Sequence, residues 1–228
     1  MKFSTRTIQI LRNFASIHQA LHFKTGNVLK TMSETKSILA KATIDTEIEK
    51  AFAIYDVPKL LSAISMFEDP ELIPHDSYVE IAQNNERIEY TYSEPSLIKT
   101  PPEKEIVFPE PDVLFELKNE DINRVLKGMG ITGANAVCIT GENGKIYLES
   151  KTVALGPKSS QGNATGAPSY RAEVGDTDKK FCFIFTAENI KLLPGDYTVS
   201  LSKKGISHFK GTDVEYWISM EQTSTFEG

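Results

Sequence analysis

Two cysteines, one tryptophan and four histidines in 228 residues leave little material for several kinds of chemistry. Cys138 and Cys182 stand apart in strand-like runs, outside any CxxC spacing, so they read as buried reduced thiols rather than as a disulfide or metal ligands. His18 and His22 are four residues apart, but no carboxylate stands between them and the helical pattern fails there; His75 and His208 are isolated. No metal site is expected from them. The chain has no Walker loop, no GxGxxG opening a helix and no GxSxG elbow, and the acids Glu68, Asp69 and Glu71 fall in a proline-containing turn where solvated charge is the ordinary reading. No catalytic constellation and no cofactor are expected. Mean hydropathy is -0.26, and no apolar run is long enough to span a bilayer. The N-terminus lacks the apolar core and small-residue cleavage site of a signal peptide, so neither a membrane nor export is expected.

Acid is also missing from one stretch. The first 33 residues contain no Asp or Glu but hold Lys2, Arg6, Arg12, Lys24 and Lys30, in a chain whose net charge is -6. A basic patch on an acidic body points to one face that tolerates a polyanion and an exterior that repels it. The acidic total excludes indiscriminate nucleic-acid coating, which needs many Lys and Arg contacts to phosphate.

What is present is a plan written twice. Ser4 is placed to cap a helix whose apolar face is Ile8, Leu11, Phe14 and Ala15, with Phe3 and Ile8 as a hydrophobic staple. Short strand-like runs follow, broken at Lys24-Thr25-Gly26-Asn27 and Ser33-Glu34-Thr35-Lys36, and then comes a strand at Ala51–Tyr55. Asp56 caps a second helix, with Pro58 in its first turn and Leu60, Leu61, Ile64 and Phe67 as its stripe. Strands return at Tyr78–Ala82 and Arg87–Tyr92. In the second half Asn119 caps a helix with the stripe Ile122, Val125, Leu126 and Met129. A hairpin turns at Gly141-Glu142-Asn143-Gly144, Phe181–Phe185 repeats the strand at Ala51–Tyr55, and Thr186 caps a short fourth helix that ends at Pro194-Gly195. Further hairpins are expected around Lys203-Lys204-Gly205 and Gly211-Thr212-Asp213.

Gly156 to Ser169 reads as a long surface loop inserted in the second copy. Between the copies, Glu94 to Asp112 carries Pro95, Pro101, Pro102, Pro109 and Pro111, an extended linker. The expected organisation is an N-terminal domain over 1–98, a linker over 99–112 and a C-terminal domain over 113–228. The fold class is α+β, two similar domains, each with two helices packed on antiparallel sheets.

The segments FSTRTIQILRNFASI, FAIYDVPKLLSAISMF, IKLLPGDYTVSL and YWISMEQTSTFEG, in this order and spacing, resemble the DNA polymerase sliding clamps (processivity factors) of T-even-type tailed bacteriophages. The resemblance implies the DNA-clamp fold, closing into a ring: a homotrimer with helices lining a central hole and sheets outside. It implies double-stranded DNA held topologically and without sequence preference, a phage DNA polymerase tethered to one face, an ATP-dependent clamp loader, late-transcription factors as further partners, and work in the cytoplasm of an infected bacterium. A protein of this kind is not an enzyme. The charges then expected to face DNA are Lys2, Arg6, Arg12, Lys59, Lys118, Arg124, Lys127 and Lys191, on the outer faces of the helices. Clamp partners insert a short peptide beside the linker. The apolar run Ile106-Val107-Phe108, inside a polar proline-rich segment, is the expected pocket, with Trp217 and Ile218 as its opposite wall. The rival expectation is a ring-forming phage structural protein of tail or baseplate, for which basic helix faces have no use.

Overall fold

A computed structural model describes residues 1–153 and 170–228. The loop expected from Gly156 to Ser169 lies outside the described residues. The chain divides into two compact units, Met1–Glu105 and Ile106–Gly228, a division that falls inside the proline-rich segment.

In the first unit, helix α1 (Thr5–Ile17) starts where Ser4, in extended backbone, accepts a hydrogen bond from the Thr7 amide at 3.0 Å. It ends at His18, whose extended backbone turns the chain away. Its buried residues are Thr7, Ile10, Leu11, Phe14 and Ile17. The stripe is thus rotated from the expected one, with Ile8 and Ala15 only half-buried. The helix packs both against a second helix and against a pair of strands, which widens the apolar arc it needs. Strands β1 (Leu21–Phe23), β2 (Gly26–Met32), β3 (Ile38–Ile48) and β4 (Phe52–Ile54) follow; β2 pairs antiparallel with β3, and β1 with β4. Helix α2 (Val57–Ile64) is capped by Asp56, which accepts from the Lys59 amide at 2.9 Å. It packs on α1, and α1 packs in turn on β2 and β3. Strands β5 (Glu71–Pro74), β6 (Tyr78–Gln83) and β7 (Glu86–Thr91) form an antiparallel sheet in that order. The turn between β6 and β7 puts Asn84 at φ 56°, the left-handed region that Asn tolerates.

The second unit holds β8 (Val113–Leu117), α3 (Asn119–Thr132), β9 (Ala136–Glu142), β10 (Lys145–Lys151), β11 (Tyr170–Asp176), β12 (Phe181–Thr186), β13 (Tyr197–Ser202), β14 (Ile206–Lys210), β15 (Val214–Ser219) and β16 (Thr225–Phe226). One antiparallel sheet runs β11-β10-β9-β12-β16. In the other, β8, β13, β14 and β15 pair antiparallel in that order. The expected hairpin between β9 and β10 turns on Asn143 and Gly144, both at positive φ (53° and 81°), the geometry that matches strand twist. Helix α3 packs on β10 and β11, and Gly128 is where it comes close: a Cβ there would meet Tyr170 Cβ at 3.0 Å.

Two expectations change at the helix ends. Asn119 is the first residue of α3 rather than its cap; its amide donates to Asp196 Oδ1 at 2.9 Å, an acceptor brought from a distant turn. The Asn119 Oδ1 instead accepts from the Gly195 amide at 3.0 Å. The fourth helix is a 3-10 turn, Ala187–Asn189, without a side-chain cap; the Thr186 hydroxyl goes to Glu221. Cys138 is buried and Cys182 half-buried, both as free thiols. The carboxylate of Glu149 is almost fully buried between β9 and β11, where it is held by the Thr140 hydroxyl at 2.8 Å, Lys151 at 2.5 Å and Arg171 at 3.4 Å. A buried charge persists only with such partners.

Candidate nucleic-acid and partner interfaces

The stripe that buries one side of α1 leaves Thr5, Gln9, Arg12 and Ser16 exposed on the other. Arg12 stands at a shallow groove of about 250 Å³ between the two helices, with Ala15 on its own helix, Pro58, Leu61 and Ser62 on α2, and Ser65 just past the end of α2. Lys59 is exposed next to Pro58 and three residues before Ser62. Neither Arg12 nor Lys59 has an acidic partner among the described residues. Lys2 does: its ammonium sits on Asp69. Arg6 is half-buried and reaches Gln9 Oε1 at 3.4 Å, and it makes a further interaction besides.

The second unit treats its cations differently. Arg124 donates to Glu120 at 3.1 Å, one turn earlier on α3. Lys118 pairs with Asp196 at 3.0 Å, which raises the lysine pKa; the Asp196 carboxyl is held below its usual range first by the Asn119 amide and then by Lys118. Lys127 is exposed and without an acidic partner among the described residues, while Lys191 is half-buried and engaged by a neighbour. The expected set therefore does not form one uniform basic surface. Asp69 and Asp196 are not legible as partners in the sequence, being 67 and 78 residues from Lys2 and Lys118, whereas Glu120 lies one turn before Arg124 at a spacing the sequence shows.

The candidate peptide surface lies on the outward face of β8, β13, β14 and β15. Strand alternation puts Leu114, Ser200, His208 and Trp217 in one row across it. His208 and Trp217 stack at 4.7 Å with an interplanar angle of 8°, and Phe108 tilts over His208 at 5.8 Å. Glu215 holds His208 Nε2 at 2.9 Å. Val107 is 90% exposed and Leu114 61%, beside a half-buried Ile106. Trp217 is only 9% exposed, and its Nε1 is buried without a hydrogen-bond partner. Ile218 is fully buried. It occupies the opposite face of β15 from Trp217, because successive strand residues alternate, and so it cannot line the same pocket. His208 stands where Ile218 was expected.

Residues 2–99 match the family described as DNA polymerase processivity factor, and residues 114–222 match the family gp45 sliding clamp, C terminal. The sliding clamp of Escherichia phage RB69 is 31% identical over the full length of both chains. This chain belongs to the phage sliding clamps. The sliding clamp of Vibrio phage KVP40 is 29% identical over 97% of this chain and 99% of its own. The fold is also that of proliferating cell nuclear antigen. The protein from Thermococcus kodakaraensis superposes with TM-score 0.71 at 10% identity, over 97% of this chain and 99% of that one. The Archaeoglobus fulgidus protein, solved with the C-terminal region of FEN-1, gives 0.67 at 13%, over 96% of each chain.

The clamp is thus a DNA polymerase processivity factor, an accessory protein and not an enzyme. Among its described residues no helix is long and apolar enough to cross a membrane. The α+β clamp fold expected from the sequence is the fold observed, with its fourth helix reduced to a 3-10 turn.

Proposed function

We propose that the clamp closes as a homotrimer, head to tail, around double-stranded DNA, and tethers the phage DNA polymerase in the cytoplasm of the infected bacterium. An ATP-dependent loader opens the ring, and late-transcription factors share its partner surface. Residues 1–98 and 113–228 act as the two ring domains and 99–112 as the linker between them. The observation that carries the DNA-facing part is the position of Arg12 and Lys59. They stand on adjoining exposed helix faces, without acidic partners among the described residues, in a chain of net charge -6. Lys127 supports it in the second unit. Lys2, Arg6, Lys118, Arg124 and Lys191 contribute less, because each is already engaged. A few long cations give weak, sequence-blind attraction to phosphate, which permits sliding; many would arrest it.

Polymerase and loader peptides dock on Ile106, Val107, Phe108 and Trp217, with His208 as the floor. The exposed Val107 and Leu114 beside the Phe108–His208–Trp217 stack are the support, since apolar groups left to water mark contact surfaces. Native mass measurement tests the ring: a trimer is expected, and a monomer or a twelve-membered ring overturns it. Titration of the polymerase C-terminal peptide onto Ile106→Ser/Phe108→Ser tests the docking face. Lost affinity is expected, and intact affinity in an assembled trimer removes the linker from the site.

A further inference from the structure

The first unit has another cavity, remote in chemistry from the apolar docking face. Register places Lys30 of β2 directly opposite Lys41 of β3. Like charges facing each other across strands weaken a sheet. Both side chains are half-exposed, while their neighbours Leu29, Thr31, Ala40 and Ala42 are buried. The core therefore does not demand lysine at either position. Lys24 and His22 join them around a space of about 310 Å³. The other wall is the chain from Thr100 to Glu103, with Glu105.

That wall is a strap fastened at its start. Ile98 is buried with Ala20 and Ala53, the Lys99 ammonium reaches the Glu34 carbonyl at 3.1 Å, and Pro101 is buried. The strap then lays Glu103 on Lys24. The hydrogen bond from Lys24 holds the Glu103 carboxyl below the usual range, and the charge of Lys30 adds to this. Glu103 nonetheless remains 80% exposed, so it sits at the mouth of the cavity without filling it. Lys30 has no ion-pair partner among the described residues.

We propose that this cavity receives an acidic segment of a partner protein, whose carboxylates Lys24 and Lys30 bind after displacing Glu103. The inference rests on the reading of the clamp as a docking platform. Charge complementarity identifies the occupant. The cavity already holds one carboxylate of the chain's own, and its size suits two or three side chains. A nucleic-acid backbone fits worse, since Glu103 and Glu105 stand on the rim and an acidic body surrounds them.

The test uses the whole assembled clamp and fluorescein-labelled acetyl-hexaglutamate, followed by anisotropy at low salt, with hexaglutamine and oligothymidine as competitors. Hexaglutamate should bind and hexaglutamine should not compete. Glu103→Gln, which frees Lys24, should tighten binding by about threefold, and Lys30→Glu should weaken it by at least about tenfold. Lys30→Glu should also keep or raise the melting temperature, because it relieves the facing charges, so lost binding is not lost folding. Lys30→Gln serves if the first variant does not fold. Competition by hexaglutamine, binding unchanged in the Lys30 variants, or oligothymidine bound through Lys30 in preference to hexaglutamate each overturns the proposal. Native mass and processivity of Lys30→Glu are read separately. Absence of a trimer or of processivity in the wild-type clamp would count against the ring, whereas retention of both in Lys30→Glu with hexaglutamate binding lost supports the acidic-segment site.

Discussion

The α1–α2 face of the first unit leaves Arg12 and Lys59 without acidic partners among the described residues, while the α3 end of the second leaves only Lys127 so. Arg12 and Lys59 stand open to solvent, while Arg124 leans on Glu120 and Lys118 on Asp196. The same difference runs through the caps. In the first unit Ser4 and Asp56 satisfy helix amides three residues ahead; in the second, Asp196 does it from 77 residues away. A duplicated plan thus keeps its outline while its electrostatics diverge.

The strongest way to break this comparison is to neutralise each face in turn. Arg12→Ala/Lys59→Ala should lower the salt slope of DNA association by about two units, and Arg124→Ala/Lys127→Ala by only about one, because Arg124 is already neutralised. Equal losses, read from salt titrations of the loaded clamp, would abolish the distinction. A smaller effect should come from Glu120→Gln. It releases Arg124 and should steepen the slope by up to about one unit, bringing α3 toward the first unit's behaviour. Stability gives the third comparison. Ser4→Ala should cost about 1 kcal/mol in chemical denaturation, while Asp196→Ala should cost less, since water can replace an exposed acceptor. The smallest change is expected for Lys118→Ala, whose exposed pair should leave the melting temperature where it was.

What could be read in advance was local. Ser4 and Asp56 lie within four residues of the amides they cap, the Asn143-Gly144 turn carries its own signal, and the apolar stripes follow helical spacing. Asp196 could not be paired with Asn119, nor Asp69 with Lys2, because folding brings those partners together. The shift of the α1 stripe toward Ile10 has the same origin: the sequence shows one apolar side, but not that two neighbours share it. At the docking face, Phe108 and Trp217 were identifiable as large apolar groups outside a helical stripe. His208 was passed over because an isolated histidine carries no signal until a cross-strand register sets it beside a tryptophan. Ile218 adjoins Trp217 in the sequence but turns to the opposite face of β15, because strand side chains alternate with a two-residue period.

Trp217 is the chain's single tryptophan, and its indole lies flat on His208 beneath the reach of Phe108. Light absorbed at the red edge of the protein spectrum is therefore emitted from one spot on one face. A peptide that shifts Phe108 changes the colour or yield of that emission directly, without a dye. The molecule carries its own optical gauge for the proposed partner surface.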